Sequence, residues 1–382
     1  MDKGRNNPYI SKSSDQSFHP MSFLHTRRDF IKKGSVTTLG LAAGARILHS
    51  CSLAGSSHKP VVSIVKIRDG NVDRAVEEAI DLLGGMEEVA RNKYRIMLKP
   101  NLVAETSHDT TKPGVIGALA RLMKRHGREV WIGEGSCAAG GFNVRDYTVY
   151  RTRKEELLNG MQQHIFNRLG YTDLANELHI PLINLHSGKM TDAEVPGGLL
   201  FDRITLHSSL HEIDMLCSVP MMKTHVLATV TLGMKNLIGL YPGTVYYSAR
   251  SWLHDHAWAH GSRGVAFEVL DMVRANRLGL TVIDGSIAME GNGPSSGSLV
   301  KMDLIIAGTN PLATDMVGAG VMGFEPMEVP AFRLAVETGM TPAGLQEVEV
   351  RGEALSSVRR QFIRPEVIPW SSIGNSWANE EI

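Results

Sequence analysis

Short apolar runs alternate with longer amphipathic stretches along most of this 382-residue chain. The short runs, bounded by glycine, proline or charged residues, predict strands over 61–65, 95–99, 128–133, 180–185, 213–220, 280–283 and 304–307. The longer stretches predict helices over 71–90, 113–126, 153–178, 264–276, 311–322 and 329–338. Pro113 falls in the first turn of its helix, a favoured place for proline. A Pro196-Gly197-Gly198 cluster predicts a hairpin over 194–207, on an edge or an insertion. Strand and helix taking turns in this way predict an α/β fold, a mostly parallel sheet with helices on both faces. About 320 folded residues suit one large domain or two coupled lobes.

Chemistry concentrates in segment 218–243, S-V-P-M-M-K-T-H-V-L-A-T-V-T-L-G-M-K-N-L-I-G-L-Y-P-G. Lys223, His225, Lys235 and Asn236 lie there among small, β-branched and glycine residues, an unusual setting for cations unless something pairs with them. If the strand over 213–220 ends at Pro220, Lys223 and His225 emerge at its carboxyl end, where open α/β sheets bind ligands. Gly233 can open a helix whose first backbone N–H groups attract an anion. The segment also reads as a solvated loop with scattered cations.

Further candidates sit at other strand ends. Lys99 and Asn101 flank Pro100 and fit either an anion contact or a plain turn. Glu134 stands between Gly133 and Gly135, where the backbone can approach a ligand or simply turn. Asp284-Gly285 and the loop Glu290-Gly291-Asn292-Gly293-Pro294 offer two carboxylates for a metal or a proton. Asp315 either faces the same cleft or complements the positive end of its helix. His254, His256 and His260 belong to S-W-L-H-D-H-A-W-A-H-G, and the last two share a helix face, as chelating residues or as a lid.

The pattern K-T-H…G-x-K-N-x-x-G resembles the signature of the family named domain of unknown function 362. Leu98-Lys99-Pro100-Asn101, Gly133-Glu134-Gly135, Val282-Ile283-Asp284-Gly285 and Ala307-Gly308-Thr309-Asn310-Pro311 match in the family's order, over about residues 60–340. Arg250 and His254 match an arginine and a histidine that often follow the lysine segment. The resemblance implies an α/β domain without a settled reaction. Segment 225–243 also faintly resembles the H…G-x-S-G-G-x-K…P-G stretch of nickel-pincer lactate racemase. That resemblance makes Lys235 the counterpart of a cofactor-tethering lysine, although the serine and the double glycine are absent here.

Residues 1–51 carry a different message. Thr26-Arg27-Arg28-Asp29-Phe30-Ile31-Lys32-Lys33 resembles a twin-arginine export motif, followed by a weakly apolar run over 36–48 that is too short to span a bilayer. Leu48-His49-Ser50-Cys51 resembles a lipoprotein cleavage box, with His49 a departure, and lipidation at Cys51 would anchor the chain to a membrane face. These features imply the twin-arginine machinery as a partner and a periplasmic location. A tether over 52–59 then leads to the domain over 60–345, with a C-terminal extension over 346–382.

Charge and cysteine usage narrow the classes. The chain carries 40 Lys/Arg and 40 Asp/Glu, so its formal charge is zero. Residues 1–50 hold eight basic and three acidic residues, a balance of +5, which leaves −5 for the rest. A mildly acidic mature chain with 6% aromatics is not built for nucleic acid. With three cysteines and no C-x-x-C, an iron–sulfur cluster held by this chain alone is disfavoured, as is a redox-partner role built on one. Cys217 reads as a buried free thiol rather than a disulfide partner of Cys137. The cofactor is unknown and a divalent metal stays open.

The reading that follows is a small-molecule enzyme for a carboxylate or phosphate substrate. Lys223, His225 and Lys235 are its catalytic candidates. Lys99, Asn101, Glu134, Asn236, His254, Asp284, Glu290 and Asp315 are its binding candidates. The alternative is a non-catalytic lipoprotein that binds an anion or metal.

Overall fold

The computed structural model describes residues 59–369 apart from Tyr147 and Arg263, and these belong to one unit, His58–Ile382. The export motif, the lipoprotein box and all but the last residue of the tether lie outside the described residues. Ten strands form the main sheet: β1 (Val61–Lys66), β2 (Arg95–Pro100), β3 (Glu129–Glu134), β4 (Leu182–Asn184), β5 (Met215–Val219), β6 (Met221–His225), β7 (Thr229–Thr231), β8 (Leu278–Glu290), β9 (Ser298–Gly308) and β10 (Glu349–Gly352). Their order is β10-β1-β9-β8-β5-β2-β3-β4, with β6 on an extension of β8 and β7 beside β6. Only β9 and β7 run against the others, so the sheet is mostly parallel.

Alternation along the central strands divides the core in two. Ile96 and Leu98 of β2 point to one face with Val130 and Ile132 of β3, under helices Val72–Asp81, Pro113–Arg125 and Glu155–Arg168. Met97 and Leu216 point to the other, under helices Ala266–Ala275, Pro311–Val321 and Pro330–Glu337. Side chains that alternate by two send neighbouring apolar residues into opposite layers, and both layers need a helical cover. Helices therefore lie on both faces, as the pattern predicts.

Several boundaries differ from expectation for local reasons. The helix expected over 71–90 is two, Val72–Asp81 and Met86–Val89, because Gly84 and Gly85 take φ of +107° and +83° between them. The helix over 153–178 likewise breaks at Gly170, φ +78°. The hairpin over 194–207 is Met190–Glu194 paired with Arg203–His207, off the main sheet. The segment expected as a C-terminal extension supplies edge strand β10, parallel to β1, and buries Phe362. Both Cys137 and Cys217 are free thiols, the latter fully buried. Among the described residues no helix is long and apolar enough to cross a membrane.

Two strand ends fall elsewhere than the sequence suggests. The chain does not leave the sheet at Pro220: it steps sideways and pairs along β8, Met221 opposite Asp284 and Lys223 opposite Met289. Lys223 and His225 thus lie within β6 rather than beyond β5. Asp284 lies inside the 13-residue β8, which passes through a register shift between Gly285 and Ile287 instead of turning. Glycine and serine there accommodate a bulge.

Candidate functional site

Strands β2 and β3 are parallel neighbours, so Lys99 and Glu134 at their carboxyl ends meet. Lys99 Nζ lies 2.8 Å from both carboxylate oxygens, and both residues are about 1% exposed. Each partner is further satisfied. Lys99 donates to the Pro100 carbonyl at 2.8 Å and to Asn236 Oδ1 at 3.1 Å. Glu134 accepts from Leu102 N at 2.9 Å and Gly135 N at 2.8 Å. Burial draws the Lys99 pKa down and the Glu134 charge draws it partly back.

Asn236 ties this pair to the lysine segment. Its amide nitrogen donates to the Lys99 carbonyl and to Ser218 Oγ, each at 3.1 Å, and its oxygen also accepts from Asn101 at 3.2 Å. Asn101 Oδ1 is buried with no partner among the described residues, an acceptor facing no donor. The glycine of K-N-x-x-G has a steric reason. A Cβ on Gly239 would lie 2.4 Å from Glu134 Oε1 and 2.6 Å from Lys99 Nζ. Gly239→Ala should therefore force the pair apart and cost about 1–3 kcal/mol, read as a lowered urea midpoint; an unchanged midpoint would contradict this packing.

Arg250 closes the floor. Its guanidinium donates to the carbonyls of Tyr241 at 3.1 Å, Ser136 at 3.0 Å, Gly239 at 3.0 Å and Gly135. Arg250 holds φ +59° after Tyr247 and Ala249 at +62° and +54°, a run of left-handed residues that only strong local bonding maintains. His186 Nε2 donates to the same Ser136 carbonyl at 2.7 Å, and its Nδ1 accepts from Gly243 N at 3.2 Å. Burial and the Arg250 charge keep this imidazole well below its ordinary pKa.

Lys223 is fully buried and, among the described residues, donates only to backbone, to Asp109 O at 2.5 Å and Pro294 O at 3.1 Å. Burial pulls its pKa from 10.5 to about 7; Asp109 opposes this, and Lys235 and Lys112 add to it. Lys235 is partly buried, with no hydrogen-bond or ion-pair partner among the described residues. Burial takes it to about 8, against the pull of Cys137 and Glu268. His225 Nδ1 accepts from Leu227 N at 3.0 Å, and burial with the charges of Lys235, Lys223 and His254 holds the ring well below its ordinary pKa. His254 lies 3.1 Å from the buried carboxylate of Glu268. Cys137, partly exposed, lies within electrostatic range of both lysines, and burial pushes its thiol up.

Lys223, Lys235, His225 and Cys137 are linked by electrostatic range rather than by direct hydrogen bonds, and the remaining candidates hold other roles. Asp284, on β8 beside β6, accepts from Lys112 N at 2.9 Å and from Ser286 Oγ at 2.5 Å; burial raises its pKa. Asp315 accepts from Gly233 N at 2.7 Å and Met234 N at 2.8 Å, so the amides expected to greet an anion already hold a carboxylate. Burial raises Asp315 to about 7. Glu290 accepts from Ile363 N at 3.0 Å and secures the C-terminal strap. His256 stacks on Phe201 and Trp252 with ring centroids 5.3 and 5.1 Å away, and its neighbour is His260 at 4.2 Å. Among the described residues no three His, Cys, Asp or Glu side chains converge as a metal site. No metal role is assigned to them.

Glu268 and His186 are not among the residues the sequence singles out, and Cys137 stands out there only as a thiol. Glu268 did carry a signal, one acid in the apolar helix A-F-E-V-L, and such an acid is seldom buried unpaired.

The family described as Domain of unknown function (DUF362) matches residues 96–320. A thylakoid-associated protein of Synechocystis sp. is 24% identical over 281 residues, covering 72% of this chain and 78% of the relative. Among solved structures, the lactate racemase apoprotein of Thermoanaerobacterium thermosaccharolyticum is similar with a TM-score of 0.42 and 14% identity, covering 70% of this chain and 58% of that one. A Thermotoga maritima protein is similar with a TM-score of 0.35 and 12% identity over 69% of this chain and 59% of its own. The chain thus spans a little under three fifths of each of these two structures.

Proposed function

Because this chain belongs to the DUF362 family, with Lys223, Lys235 and His225 in electrostatic range of one another, we propose that it is an enzyme for a small carboxylate or phosphate. The observation that carries this reading is a contrast among three lysines. Lys99 has its own buried carboxylate, whereas Lys223 and Lys235 have none within ion-pair distance among the described residues. A fully buried amine and a partly buried one, both without a counter-ion, are costly, and an anion arriving between them supplies what they lack. His225 and His254 stand beside them as groups able to hold or move a proton.

Substrate charge would sit between Lys223 and Lys235, with Asn101 Oδ1 as an acceptor for a donor group on the same molecule. Lys99 and Glu134 brace the strand ends rather than touch the ligand. The test is to incubate the full chain in D2O with a panel of small carboxylates and sugar phosphates and to follow deuterium incorporation by NMR. Incorporation that disappears in a Lys223→Met/Lys235→Met variant supports the enzyme. Tight binding of panel members with no incorporation or turnover would leave a non-catalytic anion binder instead.

We also propose that the chain is exported by the twin-arginine route to the periplasm, with Cys51 as a lipid anchor. Arg27-Arg28 and the weak apolar run behind them support it. Replacing both arginines by lysine should leave the precursor in the cytoplasm, as fractionation would show. Undiminished export of that variant, or a mature protein with no acyl mass at Cys51, would overturn the corresponding part.

A further inference from the structure

Three local imperfections meet at one place, on the sheet face covered by helices Ala266–Ala275, Pro311–Val321 and Pro330–Glu337. The first is a cavity of about 10 Å³, walled by Val230, Met234, Val265, Val269 and Phe332, all of them buried. Interiors pack as densely as organic crystals, so a void against aliphatic walls forgoes contacts that a filled one makes. The second is Lys235, which lines the same cavity and has no hydrogen-bond or ion-pair partner among the described residues. The third is Val265, held at φ +86°. A β-branched residue rarely takes that left-handed conformation, and such strain gathers at ligand sites. Its cause is adjacent. A Cβ on Gly264 would stand 2.3 Å from the Leu227 carbonyl oxygen, so the backbone is pressed close just before the helix starts.

Water is a poor occupant for this space. The volume is about that of one molecule, and a buried water makes about two to four hydrogen bonds. Asp315, also in the wall, already commits its two oxygens to the Gly233 and Met234 amides at 2.7 and 2.8 Å. A carboxylate with a short aliphatic end answers both needs, its charge against the Lys235 amine and its end in the apolar space. We infer that Lys235 and this cavity form a single subsite, which takes a small aliphatic carboxylic acid by its carboxylate and its short carbon end. The inference rests on the anion reading above and narrows the substrate to that class, because phosphate has no group for the cavity. Each CH2 buried there tightens binding about fourfold. An end longer than the space must push Val269 or Phe332 out of a packed core, and that is unfavourable.

The test is to titrate the full chain near neutral pH with formate, acetate, propionate, valerate and heptanoate, reading each Kd by NMR. Affinity should rise about fourfold from formate to acetate, peak at acetate or propionate, and fall about tenfold or more by valerate. Phe332→Ala, which widens the cavity, should move the peak to valerate. Val269→Ala removes only two carbons from the wall and should move it the same way, so the test survives a Phe332→Ala chain that does not fold. Lys235→Met should lose all five acids. A wild type that binds the five alike, or a length preference that Val269→Ala leaves unchanged, overturns the subsite. If Lys235→Met still abolishes binding in that case, the anion reading stands without it. A wild type that binds none of these acids and no oxalate overturns both.

Discussion

Glu134→Ala is expected to unfold a large share of the molecule's margin of stability, about 3–5 kcal/mol. The substitution leaves the Lys99 ammonium in a dry site and removes the acceptor for two backbone amides, Leu102 and Gly135. Uncompensated buried charge is among the costliest defects a fold can carry, and total stabilities are only about 5–15 kcal/mol. For a domain of this size each kcal/mol moves the melting temperature by about 2–4 °C, so a fall on the order of 10 °C should appear in calorimetry. Lys99→Met in the same background should recover part of the loss, because the unpaired charge is gone. A melting temperature within about 2 °C of wild type for Glu134→Ala would mean that water reaches Lys99 and that the pair is not buried as described.

Lys223→Met and Lys235→Met should behave in the opposite way. Each should weaken the binding of oxalate or inorganic phosphate by about 2–5 kcal/mol, the usual cost of removing a charged partner from a desolvated site. Neither should destabilise the empty protein. A lysine whose pKa falls from 10.5 to about 7 on folding is unfavourable to the fold while it is protonated. Below pH 7 that penalty is fully present, at about 1.4 kcal/mol per pH unit of the depression. Between pH 7 and 10.5 the unfolded chain binds more protons than the folded one, so stability rises with pH. Above 10.5 the penalty is gone. Lys223→Met should accordingly gain more in melting temperature over wild type at pH 6 than at pH 9. An equal difference at both would mean that the Lys223 amine is solvated in the fold.

The parallel sheet was legible because apolar runs, glycine punctuation and the alternation of strand with helix all point one way. Lys99, Glu134, Lys223, His225, Lys235 and Asn236 were legible as unusual residues at strand ends or in a glycine-rich setting. Their division of labour was not. Lys99 and Glu134 lie 35 positions apart, and only the parallel pairing of β2 with β3 shows that each neutralises the other. Asp315 is 82 positions from the Gly233 amide it holds, a contact that no local pattern announces. Asp284-Gly285 looks like a turn because glycine after aspartate usually makes one. Cross-strand pairing with β9 keeps the segment extended and absorbs the glycine as a bulge. Glu268 shows the converse case, a residue whose burial was readable from its apolar helix but whose partner, His254, comes from a different element.

Proton linkage of anion binding tests the pairing of Lys223 and Lys235 with an anion most directly. Oxalate can be titrated calorimetrically into the full chain from pH 6 to pH 9, in buffers of different ionisation heat. With Lys223 near 7 and Lys235 near 8 when empty, an arriving anion favours their charged forms. Net proton uptake should therefore be small at pH 6, clear at pH 8, and absent in the Lys223→Met/Lys235→Met variant, with affinity falling as pH rises above 8. Oxalate binding that takes up no proton at pH 8 and keeps the same affinity across the range would contradict the account.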